Sequence, residues 1–428
     1  MSLFKEKKKI YFEWLMLLLA LVSLFYLQSL MSSTLKTSCS IYRILSYSAM
    51  LAWVVFALIG TRERIKEWFS LLWPVLVCFL VAATLYLIRS NDNYLAATTK
   101  NILFFAFFAF IFLYYSRPGF EKFRAIIVAV WFLETVISCV HSISFLQEYP
   151  DYARALVSPD MYGVYDGLQT YTMIGFYHVG ALSFLTPAFL YRALGKHRKP
   201  GYESLVLLVC CLLFWFTVMK TQFTIALMLV SSGILAAVMI VILERSKKEA
   251  RLPIGISLII LIALLILLLP KLLLSLYESN LFGSVLSDRV YSVYRMIAGL
   301  DVGNSDLQDR LYHYSLTLEG IRESKLLGGY FTGSTTCGGH SEFGDMLALF
   351  GVFFFALFIW FVVNMFRSGY KYTVRDRRPG FIISYVIYFI FSFINTSLWT
   401  PIGIGLFIIL PFSMHEGDLF PLIRRNLR

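Results

Sequence analysis

The chain has 428 residues, of which 58% are hydrophobic and only 15% charged, with a mean hydropathy of +0.71. A soluble core cannot hide that much apolar surface, so an ordinary globular enzyme is excluded and lipid must cover much of the chain. The net charge of +12 invites a nucleic-acid reading, but the positions of the charges point to membrane topology instead.

Apolar stretches of the length that crosses a roughly 30 Å hydrocarbon layer as helix predict spans at 12–30, 41–59, 71–89, 101–115, 123–146, 172–191, 203–219, 223–243, 253–276, 344–366, 381–397 and 401–414. The turn Ser397–Pro401 leaves the last two short. The basic N-terminus runs straight into a full span, so no secretory signal peptide is expected. The expected fold is all-α, a polytopic membrane protein of about twelve transmembrane helices with one large, partly helical extracytoplasmic loop. Its parts would be an N-terminal bundle of about nine spans over 1–276, the loop over 277–343, and C-terminal helices with a short tail over 344–428.

Lysines and arginines set the orientation. With Lys5, Lys7, Lys8 and Lys9 in the cytoplasm, every second connection gathers the basic groups. These are Arg62, Arg64 and Lys66; Arg117, Lys122 and Arg124; Arg192, Lys196, Arg198 and Lys199; and Arg245, Lys247, Lys248 and Arg251. The series ends with Arg367, Lys371, Arg375, Arg377 and Arg378, then Arg424, Arg425 and Arg428. In all, 26 of the 38 basic residues fall on this side. Both termini are therefore expected inside, and the positive charge is a topology signal rather than a nucleic-acid footprint. The 6 cysteines are scattered without a CxxC pair or a Cys/His cluster, so no structural metal site is expected.

Two connections on the opposite side break the pattern of short loops. The first, 147–171, is rich in tyrosine and acid, a composition that suits either sugar stacking or a membrane interface. The second, 277–343, is the longest stretch outside the predicted spans, and a long ordered connection more often carries function than not. Within it, residues 305–324 are expected to form an amphipathic helix with Leu307, Leu311, Tyr314, Leu318 and Ile321 on one face. Ser305 with Gln308 matches a capping box, and Gly328-Gly329 punctuates the exit. Arg310 sits at the edge of the apolar face, and His313 points further toward water. After a glycine/threonine stretch, His340-Ser341-Glu342-Phe343-Gly344-Asp345 opens the tenth span, where free amides and the helix dipole favour an anion such as phosphate. Glu342 and Asp345 are expected to favour that helix end electrostatically. Asp288-Arg289 and Arg295 add charge in the same connection.

Arg310 in a short outer helix, a diglycine, then GGHSEFGDMLALFG from Gly338 to Gly351, together with this layout of spans, resembles the signature region of bacterial O-antigen ligases and O-antigen or capsular polysaccharide polymerases. The resemblance implies a glycosyltransferase of the plasma or inner membrane, working on the extracytoplasmic side. It would polymerise polyprenyl-diphosphate-linked oligosaccharide repeat units into capsular, exo- or O-antigen polysaccharide, with inversion and without metal or other cofactor. Its partners would be the lipid-linked donor and acceptor, the bilayer and a chain-length regulator, with no nucleic acid. The alternative within the family is a ligase that passes finished glycan to another acceptor. Carried over by position, Arg310 would contact the donor diphosphate. His340 would serve the acceptor hydroxyl or help hold the diphosphate, with Arg289 as a further diphosphate group. Family members often carry an arginine at the turn between the seventh and eighth spans. Here the turn is Met219-Lys220-Thr221-Gln222, so Lys220 supplies charge without a planar two-pronged contact. Ser341, Asp345 and Gln222 are the supporting candidates.

The chemistry is coherent on its own terms. A diphosphate leaving group gains negative charge as its glycosidic bond breaks, and arginines and helix-end amides stabilise it. The incoming hydroxyl must lose a proton, which a histidine titrating near neutrality can accept and an arginine cannot. The rival class is a flippase for the same lipids, which would be expected to show related halves or interrupted helices. No internal repeat is visible here. Glu134, inside the fifth span, requires a partner or a cavity, and Cys337 has no evident base or partner cysteine.

Overall fold

The computed structural model describes residues 2–28, 40–61, 64–89, 92–149, 152–155, 174–195, 201–279, 284–300, 306–415 and 419. Most of the tyrosine-rich 147–171 connection, Ser305 of the capping box, Cys39, and the basic residues Arg62, Lys196, Arg198, Lys199, Arg424, Arg425 and Arg428 lie outside the described residues.

The protein is all-helical, with no strand among the described residues. In chain order the helices are α1 Ser2–Gln28, α2 Ser40–Gly60, α3 Ile65–Ile88, α4 Asn93–Tyr115, α5 Glu121–Glu148, α6 Phe176–Leu194 and α7 Tyr202–Lys220. They continue with α8 Thr224–Arg245, α9 Arg251–Glu278, α10 Ser284–Ile297, α11 Asp306–Glu323, α12 Glu342–Tyr372, α13 Arg378–Ile394 and α14 Thr400–Met414. Each apolar stretch predicted as a span overlaps a helix. Among the described residues, 7 helices are long and apolar enough to cross a membrane: α3, α4, α5, α7, α8, α12 and the segment Arg375–Ile394 that contains α13. Shorter apolar helices occupy Ile10–Leu24, Ile44–Gly60 and Thr400–Met414. The chain is a multi-pass membrane protein.

Buried length, not hydropathy alone, separates the inner helices from the lipid-facing ones. α4 is buried on all sides from Phe104 to Tyr115, and α6 from Val179 to Ala193, whereas α3 and α8 leave wide apolar faces exposed. Lipid is as apolar as leucine, so burial alone does not pull membrane helices together and close fit must do so. Glycines provide it. A methyl at Gly233 of α8 would lie 2.4 Å from Ile387 Cδ1 and 2.5 Å from Pro187 Cγ, and one at Gly403 would lie 2.7 Å from Phe105 Cε1. These positions set α8 on α6 and α13, and α14 on α4.

Two departures from the sequence expectation position the site. The connection 277–343 holds two full helices, α10 and α11, plus a single turn at Gly329–Thr332. Only α11 follows from the sequence pattern. In addition, α12 is kinked at Gly351, which takes φ 82° and ψ 177°. The kink is where the long connection seats. Val352 N–H donates to the Leu326 carbonyl at 2.8 Å. A methyl on Gly351 would lie 2.3 Å from the Leu327 oxygen, and one on Gly328 (φ +99°) would lie 2.4 Å from the Phe350 carbonyl carbon. The diglycine thus does more than end α11: it lets two backbones meet at a break in a membrane helix.

Candidate functional site

α11 turns a mostly polar face toward the rest of the protein and leaves two leucines of its apolar face outward. Leu311 and Leu318 are exposed, at 54% and 57%, while Thr317 and Gly320 are buried and Arg310, His313 and Tyr314 half-buried. The reason is the partner surface. α11 packs on α12 and on the polar 334–340 segment, which small and polar side chains fit, and those two leucines are left outward. His313, expected toward water, instead meets His340.

Thr317 is the junction of this contact. Its hydroxyl donates to Asp345 Oδ1 at 2.8 Å and accepts from the Gly338 N–H at 3.0 Å. Asp345 Oδ2 accepts from the Ser341 N–H at 3.1 Å. Ser341 caps α12, its hydroxyl accepting from the Gly344 N–H at 3.1 Å. Ser341 and Asp345 therefore act as a brace that presents His340 just ahead of the helix. On the other side of the connection, Tyr330 donates to Asp92 Oδ2 at 2.9 Å, and Arg89 donates to the Tyr330 carbonyl at 3.2 Å. Asp92 is also the N-cap of α4. Burial, with the Asp92 bond, holds the Tyr330 phenol well above its ordinary range.

Arg310 and Arg289 come together. Both line a cavity of about 310 Å³ whose apolar wall is built by Phe176, Phe223, Ile225, Met228, Leu229 and Val293. Its polar lining residues are Arg289, Arg310, Thr224, Ser292, Tyr314 and Asn395. Arg310 Nη1 donates to Asn395 Oδ1 and Arg289 Nη1 to Thr224 Oγ1, both at 3.4 Å. Tyr314 donates to the Ile394 carbonyl at 2.7 Å, tying α11 to the end of α13. Two arginines lining one mainly apolar cavity suit an anion carried on an apolar chain.

His340 does not line the cavity, but it lies near enough to Arg310 for that charge to act on it. Its ring meets that of His313 edge-on, with centroids 4.4 Å apart. Burial first, then the charge of Arg310 and that of His313, lower its pKa from 6.5 to about 4. It is therefore neutral at physiological pH and able to accept a proton.

The other expected site residues stand further off. Lys220 lies at the end of α7 with its ammonium 5.6 Å from the Phe216 ring centre and does not line the cavity. Gln222 is buried in the α7–α8 turn with φ +58° and does not line it either. That turn still contributes, through Phe223 and Thr224. Arg295 sits over Tyr291. The thiol of Cys337 is pushed up to about 11 by burial, which suits an inert role.

One residue was not singled out from sequence, and another takes a role the sequence did not suggest. Asn395 ends α13 and faces Arg310. Glu342, expected to serve its own helix end, instead closes the break after α13: its Oε2 accepts from the N–H groups of Ser397 and Leu398, both at 3.0 Å. A broken helix leaves such amides without partners, and a buried carboxylate satisfies two at once. The signal available was the polar run Asn395-Thr396-Ser397 between two apolar segments. Glu134 is buried within α5 and lines a small cavity with Trp131 and Ile404. Among the described residues no three His, Cys, Asp or Glu side chains gather as a metal-holding group. Compared with protein-family models and with curated proteins, the chain matches none.

Proposed function

We propose that the chain is a membrane glycosyltransferase. It extends a polysaccharide by moving a growing glycan from its polyprenyl diphosphate onto a new lipid-linked repeat unit. In this reading there are about twelve spans, both termini are cytoplasmic, and the site lies on the extracytoplasmic side of the plasma membrane. The observation that carries it is the mainly apolar cavity lined by Arg289 and Arg310, with a neutral His340 near Arg310. Its volume falls in the range of small-molecule sites. The apolar wall would take the proximal isoprene units and the guanidiniums the diphosphate, each able to make paired hydrogen bonds to phosphate oxygens.

The acceptor hydroxyl would give its proton to His340 as its oxygen bonds to the anomeric carbon. The bond from that carbon to the diphosphate oxygen breaks, and the diphosphate leaves with the electron pair, its charge met by Arg310 and Arg289. Binding of the donor offsets the charge of Arg310 and so raises the basicity of His340 when a base is needed.

The test is elongation of lipid-linked repeats by the purified protein, with Arg310→Ala, His340→Ala and Lys220→Ala variants checked for membrane abundance. The first two should abolish long chains while single repeats accumulate. Lys220→Ala should weaken elongation less than either, since Lys220 neither lines the cavity nor acts on His340. Growth that begins only after a second acceptor is added would instead identify a ligase. Unchanged polymer in both Arg310 and His340 variants would sink the glycosyltransferase reading and favour a flippase.

A further inference from the structure

We propose that Asn395 is a donor-binding residue, its amide N–H group contacting a phosphate oxygen while its carbonyl oxygen orients Arg310. The inference rests on reading the cavity as the site of the lipid diphosphate.

A guanidinium only donates, so the asparagine atom facing Arg310 Nη1 at 3.4 Å is the carbonyl oxygen. That fixes the amide orientation and leaves Nδ2 as the other end. Asn395 is 3% exposed, and Nδ2 has no hydrogen-bond partner among the described residues. A buried, unsatisfied donor is costly and calls for an acceptor. Much of the cavity wall that Asn395 shares is apolar. An anionic oxygen drawn there by Arg289 and Arg310 is the acceptor that all three groups would share. The Arg310 contact is long for a hydrogen bond, so the guanidinium is steadied without being consumed.

The position of Asn395 is fixed independently of any ligand. Its N–H donates to the Phe391 carbonyl at 2.7 Å, and its own carbonyl accepts from the Glu342 N–H at 3.1 Å. The Glu342 carboxylate then secures the two backbone N–H groups of Ser397 and Leu398. The motif helix α12 and the break after α13 are thereby joined, and the amide is presented on a rigid support. A neutral amide is the suitable choice here. It adds a donor without the desolvation cost of another buried charge, whereas a carboxylate of the same shape would repel the ligand.

The experiment measures the affinity of the full chain in lipid nanodiscs for polyprenyl diphosphate without sugar, with Arg310→Ala as reference. Asn395→Leu, nearly the same shape without polar atoms, should weaken binding about tenfold, the loss of a hydrogen bond to a charged group. Asn395→Asp should weaken it further. The double variant Arg310→Ala with Asn395→Leu should lose less than the two single losses combined, because the two residues share one ligand group and one contact. A purely structural asparagine would lower the unfolding temperature of both variants and leave the affinity of the folded fraction unchanged. That result, with Arg310→Ala still impaired, overturns the role of Asn395 and leaves the cavity assignment standing. If none of the three variants alters affinity, the cavity is not the diphosphate site. Should Asn395→Leu fail to fold, Asn395→Asp alone decides, because a parental affinity in that variant is incompatible with an anion against the amide.

Discussion

Replacing Gly338 by alanine acts on the contact that sets the spacing between the two halves of the site. The added methyl would lie 2.0 Å from the His313 carbonyl oxygen, 2.6 Å from its carbon and 2.9 Å from Thr317 Oγ1. A relaxed carbon–oxygen contact is about 3.3 Å, so the 338–340 segment and α11 must part by roughly 1 Å. The nearest atoms belong to backbone, and no side chain can swing aside to absorb the change. His340 lies two residues along the displaced segment, and Arg310 lies one turn away on α11, so their separation grows by a similar amount. A misplacement of about 1 Å costs on the order of 10²-fold in rate, while the overpacking itself costs about 1–3 kcal/mol of stability. The assay is elongation of lipid-linked repeats at a temperature well below the unfolding midpoint of the variant. Gly320→Ala should behave alike, since its methyl would lie 2.0 Å from the Thr336 oxygen on the same interface. Gly175→Ala, with nothing within 4 Å, is the control. Elongation at the parental rate in both interface variants would refute the claim that this backbone contact sets the catalytic geometry.

The lowered pKa of His340 has a sign that experiment can read. The folded protein binds this proton only near pH 4 and the unfolded chain near 6.5, so the contribution of His340 to stability is intact above pH 6.5 and is lost as pH falls toward 4. The acid limb of kcat/KM should fall well below pH 6.5, and that of kcat should lie higher because the bound diphosphate offsets Arg310; a kcat/KM limb at 6.5 contradicts this. The Arg192–Glu203 pair, 2.7 Å apart with side chains 1% and 10% exposed, joins α6 to α7. Glu203→Gln should cost about 3–5 kcal/mol, visible as a fall in unfolding temperature. Tyr330→Phe removes the bond to Asp92 and should cost about 1 kcal/mol, and proteolysis of the 277–343 connection should quicken; an unchanged cleavage rate would show that Asp92 does not anchor it.

Hydropathy made the helical elements legible because apolar length is a property of each segment alone. It placed a helix at each predicted stretch, but boundaries moved where a polar partner elsewhere in the chain intervened. The predicted 381–397 stretch ends as helix at Ile394, since Glu342 stabilises an open backbone from Ser397 onward. The predicted 344–366 stretch extends to Glu342–Tyr372 with a kink at Gly351, and the kink exists because Leu326 and Leu327 dock there. α10 was missed because its apolar residues are interleaved with polar ones and form no long apolar run.

At the site, the grouping of Arg310 with His340 was legible in the motif, and the pairing of Arg289 with Arg310 was within reach from their shared connection. The orientation of α11 was not. Periodicity puts the leucines on one face but does not say whether that face meets the membrane surface or the bundle; the surface that receives α11 is polar backbone, so Thr317 and Gly320 face it while Leu311 and Leu318 do not. Lys220, expected as a third cation, does not line the cavity. The α7–α8 turn approaches the cavity with Phe223 and Thr224, one residue past the buried Gln222 whose left-handed backbone redirects the chain. Asn395 illustrates the general limit. A lone asparagine after an apolar helix reads as an ordinary helix end, and only the fold places it against Arg310, 85 residues earlier. A site assembled from α8, α10, α11 and the end of α13 has no local signature, because each contributing segment is shaped mainly by its own burial and the chemistry arises where they meet.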